Sequence, residues 1–342
     1  MQTDIEDYKL AVVGAGSWGT ALANLLATKG YAIDHWVFEA EVCAQMATER
    51  ENRPFLPGVR LSANLLPSSD LEKVVADKDL ILLVVPSHVM RPVTTRLADL
   101  VGSETLVVCA SKGIENDTLL TMSGVLGETL PQMPREHYAV LSGPSFAREV
   151  AREAPTAVTV ASASPDTAET VQKIFATPAF RVYAHDDVIG VELGGSVKNV
   201  IAIAAGVIDG LGMGLNTRAA LITRGLTEMR RLGLRMGANP RTFPGLAGMG
   251  DLVLTCTGDL SRNHTVGKKI GEGKLLKDLL AEMQMVAEGV KTAKSVYNLS
   301  RKLEVEMPIS HAIYRILYED LPPREAAYQL MTRDLKQELD ET

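Results

Sequence analysis

The chain has 342 residues, 46% hydrophobic and 23% charged, which is the composition of a packed globular protein of about two domains. Its net charge is −7 and no Lys/Arg run exceeds two residues, so a nucleic-acid surface is excluded and an anionic ligand needs a local cluster of cations. Cys43, Cys109 and Cys256 form no CxxC pair, which argues for a reducing compartment and against a disulfide framework or zinc site. The first residues, Met1-Gln2-Thr3-Asp4-Ile5-Glu6-Asp7, are acidic where a signal peptide is basic and then apolar, and a cytoplasmic protein is expected.

In chain order, Lys9–Val13 reads as a buried strand ending at Gly14, Thr20–Lys29 as a helix and Ile33–Phe38 as a second strand. Strand, helix and strand within about thirty residues imply a right-handed parallel unit. Further strands are expected at Leu80–Val85, Leu106–Ala110, Ala139–Leu141, Ala157–Val160 and Arg181–Tyr183, separated by helices that include Leu71–Ala76, Thr118–Leu130 and Pro165–Phe175. This alternation predicts a Rossmann-like, doubly wound α/β domain over residues 1–187. From Val188 the pattern turns helical, with Val188–Asp209, Thr217–Leu234, Val266–Glu272, Val290–Leu303, His311–Tyr318 and Pro323–Met331, and Leu252–Leu254 left ambiguous between strand and helix. An all-α second domain over 188–342 follows, and its surplus of apolar helix is compatible with a homodimer.

The string Gly14-Ala15-Gly16-Ser17-Trp18-Gly19 sits between the first strand and first helix. Glycines there permit a tight turn, close approach to a pyrophosphate and close helix–strand packing, while the helix N-terminus faces the phosphate. Dinucleotide binding is the reading. The second strand closes with Phe38-Glu39, and a carboxylate at Glu39 favours a ribose 2′-hydroxyl over a 2′-phosphate, so NAD over NADP; Arg53 could still reach a 2′-phosphate.

Lys112 directly after an apolar strand calls for an anion, and Ser142-Gly143-Pro144-Ser145 is another turn at a strand's carboxyl end, where open sheets bind ligands. In Gly194-Gly195-Ser196-Val197-Lys198-Asn199 the glycines share a helical face with Lys198, which predicts a groove beside the ammonium and a functional lysine rather than one snorkelling to solvent. Gly245–Gly250 contains three glycines before Asp251, which is expected to point inward, with N-capping as the bland alternative. Arg262 offers a fork suited to phosphate and Asn263 offers amide donors. The histidines form no ligand cluster, and no metal is expected.

Taken together with Val84-Val85-Pro86-Ser87-His88, Ser111-Lys112-Gly113, Ser142–Ala147, Gly250–Cys256, Ser261-Arg262-Asn263 and Glu288-Gly289, these motifs resemble the bacterial-type soluble NAD(P)-dependent glycerol-3-phosphate dehydrogenases over nearly the whole chain. The resemblance implies interconversion of glycerol 3-phosphate and dihydroxyacetone phosphate, supplying glycerophospholipid synthesis, with Lys198 as proton acceptor. It makes Ser17, Trp18, Lys112, Ala147, Arg262, Val286 and Glu288 cofactor neighbours, and Lys112, Gly143, Ser145, Asp251, Ser261, Arg262 and Asn263 substrate contacts. Phe38 departs from the family, which commonly places histidine or arginine there. Three other readings share parts of the pattern: a dehydrogenase for another hydroxy acid, a dinucleotide-sensing regulator and a methyltransferase.

Overall fold

The computed structural model describes residues 7–282 and 287–338. Contacts divide the chain into two compact units, Met1–Lys112 with Leu120–Val191, and Gly113–Leu119 with Glu192–Thr342.

The first unit is built on eight strands: β1 (Leu10–Val13), β2 (Ile33–Trp36), β3 (Leu65–Ser68), β4 (Leu80–Leu83), β5 (Leu106–Cys109), β6 (Tyr138–Ser142), β7 (Thr156–Ser162) and β8 (Phe180–His185). They lie in the order β3-β2-β1-β4-β5-β6-β7-β8, all neighbours parallel except β6 and β7. Helices α1 (Ser17–Lys29), α2 (Ala40–Glu49), α3 (Leu71–Val75), α4 (Met90–Thr95), α5 (Met122–Thr129), α6 (Ala147–Val150) and α7 (Pro165–Phe175) connect them. The central strands β1, β4 and β6 are buried at every residue, as strands covered on both faces must be. Between β6 and β7 the chain has only the single turn of α6, too short for a parallel crossover, so the sheet is mixed there.

Three expectations shift. β2 stops at Trp36, leaving Val37 and Phe38 beyond it. β3 is an additional strand whose Pro67 hid it; a proline is tolerated because β3 is the sheet's edge. The Leu252–Leu254 run is helical.

In the second unit the helices are α8 (Val188–Gly210, whose first four residues count with the sheet), α9 (Gly214–Arg235), α10 (Asp251–Thr257), α11 (Arg262–Gly271), α12 (Leu276–Glu282), α13 (Glu288–Lys302), α14 (Pro308–Tyr318) and α15 (Pro323–Met331). Among the described residues this unit contains no strand. α8 is long and apolar enough to cross a membrane, but 89% of its most apolar stretch is buried in the protein, as expected of a helix that is hydrophobic all round. It packs on α11 through paired glycines. A Cβ on Gly206 would lie 2.0 Å from the His264 carbonyl oxygen, and one on Gly267 would lie 2.0 Å from that of Ile203. Gly210 and Gly271, one turn further along each helix, meet Lys268 and Val207 in the same way.

Candidate active site

β1 is flanked by β2, which follows it in the chain, and by β4, which is reached only after the chain returns from β3. This reversal makes the carboxyl ends of β1 and β4 a switch point, where open sheets leave a crevice for ligands. The glycine turn lies there. Gly14 has φ +114°, a conformation that disfavours a side chain, and a Cβ would stand 2.5 Å from the Val84 carbonyl oxygen. At Gly19 a Cβ would fall 2.0 Å from the Gly14 carbonyl oxygen, so this glycine closes α1 onto the turn. Around Gly16, which is exposed, a Cβ would meet nothing within 4 Å. Two glycines are therefore packed and the middle one is open, beside the first residues of α1. That is the cradle a pyrophosphate requires, and the residues present fit a dinucleotide.

Next to the turn, Ser17 donates through Oγ to the Phe55 carbonyl. Trp18 packs on Ala21, Leu56 and Val59, as does Ala147 at the start of α6, so the sheet unit brings these two expected cofactor neighbours onto one cluster. Trp18 Nε1 is buried and has no hydrogen-bond partner among the described residues, a donor left over by the protein's own packing. Phe38 is 73% exposed and stands edge-on to Trp36 at 5.9 Å. Glu39 occupies the N-cap position of α2, also exposed, and its side chain makes no capping bond. Arg53 pairs with Glu49 at 2.8 Å and Glu51 at 3.4 Å.

Along the same sheet edge, Ser111 Oγ donates to the Val85 carbonyl at 2.6 Å, tying the ends of β4 and β5. Lys112 Nζ reaches the Gly143 carbonyl at 3.4 Å, and Ser145 Oγ donates to that same oxygen at 3.0 Å. Gly143 has φ +146° and a Cβ there would sit 2.9 Å from Val158 Cα. The three expected substrate contacts of this unit thus share one carbonyl.

In the helical unit, Lys198 is 6% exposed and Asp251 1%. Lys198 Nζ donates to Asp251 Oδ1 at 2.6 Å and to Thr255 Oγ1 at 2.7 Å, while Thr255 Oγ1 donates to the Asp251 carbonyl at 2.6 Å. A lysine so deeply buried is not snorkelling; it is held by an opposite charge and a hydroxyl, as a buried ammonium must be. Burial drives the neighbouring Cys256 thiol up to about 12, the Lys198 charge pulling the other way, so that thiol stays protonated and inert.

The reason for the glycines differs from the expected one. A Cβ on Gly194 would lie 2.4 Å from the Ala247 carbonyl oxygen, so its missing side chain admits the backbone of Leu246–Gly250, not a groove for a ligand. That segment is a turn of π-helix running directly into α10. Asp251 is the first residue of α10 rather than its N-cap, which is Gly250.

Ser261 caps α11, accepting from the His264 N–H at 3.2 Å, and exposed Arg262 opens the helix. Asn263 is buried and faces inward. Its Nδ2 donates to Asn199 Oδ1 at 2.9 Å and its Oδ1 accepts from the Gly289 N–H at 3.0 Å, which commits its carbonyl and one amide hydrogen to joining α8, α11 and α13. Through Gly289, the N-terminal end of α13 with Glu288 is brought beside the start of α11. Val286 lies outside the described residues.

Thr255 and Asn199 were not singled out from the sequence. Thr255 follows Asp251 by four residues, the spacing of one helical face, a signal lost while Leu252–Leu254 could be a strand. Among the described residues no group of three His, Cys, Asp or Glu could hold a metal.

A glycine turn at a switch point, a lysine just past the carboxyl end of β5 and a helical unit with a buried lysine–aspartate pair define a two-domain nicotinamide-dependent oxidoreductase. Comparison with known proteins is more specific. The profiles described as NAD-dependent glycerol-3-phosphate dehydrogenase N-terminus and C-terminus match residues 9–168 and 187–328. Glycerol-3-phosphate dehydrogenase, NAD(P)+, of Geobacter sulfurreducens is 59% identical over 330 residues, 96% of this chain and 98% of that protein. The crystal structure of glycerol-3-phosphate dehydrogenase from Coxiella burnetii superposes with a TM-score of 0.92 at 42% identity, covering 96% of this chain and 100% of that one. The corresponding structure from Saccharomyces cerevisiae gives 0.81 at 29%, covering 94% and 99%. The chain belongs to the NAD-dependent glycerol-3-phosphate dehydrogenase family.

Proposed function

We propose that this protein interconverts sn-glycerol 3-phosphate and dihydroxyacetone phosphate with NAD(P)(H). Family membership over the whole length supports the reaction, and the observation that carries its chemistry is the buried Lys198 amine gripped by Asp251 and Thr255. The dinucleotide, when bound, supplies or accepts a hydride. During reduction the Lys198 ammonium gives a proton to the C2 oxygen and is left as the neutral amine; during oxidation it is that neutral amine that takes the hydroxyl proton. Asp251 and Thr255 hold the amine in one direction, so no reorientation is needed at the moment of transfer.

In this reading residues 1–187 bind the dinucleotide through Gly14, Gly16, Ser17, Trp18, Gly19 and Ala147, with Phe38 and Glu39 toward the adenosine ribose. Residues 188–342 bind the substrate, and Ser261, Arg262 and Asn263 receive its phosphate at the start of α11, where backbone N–H groups and the helix dipole favour an anion. Lys112, Gly143 and Ser145 are assigned to the substrate, and Arg262, Val286 and Glu288 to the cofactor, by resemblance to the family. Glu39 and the pairing of Arg53 with two glutamates favour NAD over NADP. The product feeds glycerophospholipid synthesis in the cytoplasm, and the surplus of apolar helix in the second unit is compatible with a homodimer.

Absorbance at the reduced-nicotinamide band, with dihydroxyacetone phosphate and NADH or NADPH in turn, tests the proposal. Oxidation of either cofactor only when the phosphate ester is present is expected. An enzyme that reduces 2-oxo acids but not this ketone phosphate overturns the substrate assignment, and at least about tenfold selectivity for NADPH overturns the Glu39 argument.

A further inference from the structure

Apart from Arg53 and its partner Glu51, the segment Glu51–Gly58 has no part in the function above, yet it presses a buried asparagine against the glycine turn. Asn52 is 0% exposed. Its Nδ2 donates to the Ala15 carbonyl and to Thr20 Oγ1, both at 2.8 Å, and its Oδ1 accepts from the Phe55 N–H at 3.3 Å. Thr20 Oγ1 donates its own hydrogen bond to the same Ala15 carbonyl at 3.1 Å. These bonds are mutually consistent in only one orientation of the amide, because the reverse would aim Oδ1 at a carbonyl oxygen. The loop is locked in place by the Leu56 N–H donating to the Asn52 carbonyl at 2.7 Å.

From the other side, His35 places Nε2 3.0 Å from the Gly14 carbonyl oxygen. A carbonyl only accepts, so Nε2 carries the proton. Burial lowers the ring's pKa to about 4, outweighing the bond to Gly14, so His35 is neutral at physiological pH. Its Nδ1 has no hydrogen-bond partner among the described residues.

The Gly14 and Ala15 carbonyls are therefore both drawn into the protein by side chains. In a trans peptide the C=O and the following N–H point to opposite sides. Anchoring these two oxygens inward turns the N–H groups of Ala15 and Gly16 outward, and neither donates to any described residue. We propose that Asn52 is a positioning residue for the dinucleotide's pyrophosphate, acting with Thr20 through the Ala15 carbonyl while His35 acts through that of Gly14. The inference rests on the assignment of the glycine turn to the dinucleotide. It gives the loop a purpose: a preset pair of donors that need not rotate into place when the phosphates arrive.

The test is calorimetric titration of the full chain with ADP-ribose, which carries the pyrophosphate without the nicotinamide, alongside steady-state kinetics. Removing one partner of a buried hydrogen bond predicts an affinity loss of about tenfold for Asn52→Leu and Thr20→Val. The KM for NADH should rise by a similar factor, with kcat at saturating NADH and the KM for dihydroxyacetone phosphate changed by less than about threefold. Thr20→Ser restores the hydroxyl and should recover most of the parent affinity. A residue that only stabilised the fold would lower the melting temperature and leave the ADP-ribose affinity of the folded enzyme unchanged. Folded Thr20→Val binding ADP-ribose within about twofold of the parent sinks the inference, and this variant decides alone if Asn52→Leu does not fold. Failure of the parent to bind ADP-ribose overturns the dinucleotide assignment and this inference with it, whereas parent binding with indifferent variants overturns the inference only.

Discussion

Each unit contains a glycine-rich turn, and the two are used in opposite ways. In the sheet unit, Gly16 leaves open space where a side chain would stand, and that space is available to a ligand. In the helical unit the space is already taken. A Cβ on Gly248 would lie 2.0 Å from the Phe243 carbonyl oxygen, and one on Gly194 would touch Ala247, so the backbone folds onto itself and delivers Asp251 to Lys198. Gly14 and Gly19 are packed as tightly as Gly194 and Gly248, and it is Gly16 that sets the first turn apart. A glycine-rich string is thus no evidence for a binding loop until its neighbours are known.

The largest effect should come from the group that the filled turn exists to hold. Lys198→Ala should lower kcat by about 10²–10⁴-fold, the range for losing a positioned acid/base, while dinucleotide affinity measured by fluorescence titration stays at the parent level. Near-normal turnover would remove the lysine from the mechanism. Arg262→Ala should raise the KM for dihydroxyacetone phosphate by about ten- to a hundredfold, the cost of a charge-assisted bond, without altering stability because its side chain is exposed.

Matched substitutions in the turns sharpen the contrast itself. Gly194→Ala must displace a backbone carbonyl and should cost about 3 kcal/mol in urea unfolding. Gly16→Ala should change stability by less than about 0.5 kcal/mol and show its loss in dinucleotide affinity. If both variants destabilised equally, the distinction between an open and a filled turn would fail.

A pH effect on stability alone concerns Glu228, 2% exposed and accepting from the N–H groups of Ile309 and Ser310 at the start of α14. Burial raises its pKa to about 7, against the opposing pull of those donors. The folded state therefore holds more protons than the unfolded state between about pH 4.5 and 7, and this contribution to stability is lost as pH rises through that window. Glu228→Gln should flatten the decline, read from urea midpoints at pH 5 and 8, and an unchanged slope would assign it to other groups.

The sheet was legible because its central strands are unbroken apolar runs, and long helices such as α8 and α13 because their patterns persist over several turns. β3 escaped through Pro67, which is tolerated only at an edge, and position in a sheet is not written in the strand itself. Lys198 and Asp251 stand out by residue type, since few reasons exist to set a charge among glycines and apolar residues, and the structure pairs the two. Thr255 and Asn52 could not. Each is an ordinary polar residue whose importance comes from a partner that only the fold supplies: Lys198, 57 positions away, and Ala15, 37 away.

The seam of glycines between α8 and α11 bears on the size of what the helical unit can select. Lys198 rides on one of these helices and Arg262 opens the other, and where they cross, main chain rests on main chain with no side chain between to yield. Under the proposed roles, the span from the proton-carrying amine to the phosphate anchor is a gauge cut in peptide backbone. Molecules are then sorted by length as well as by charge.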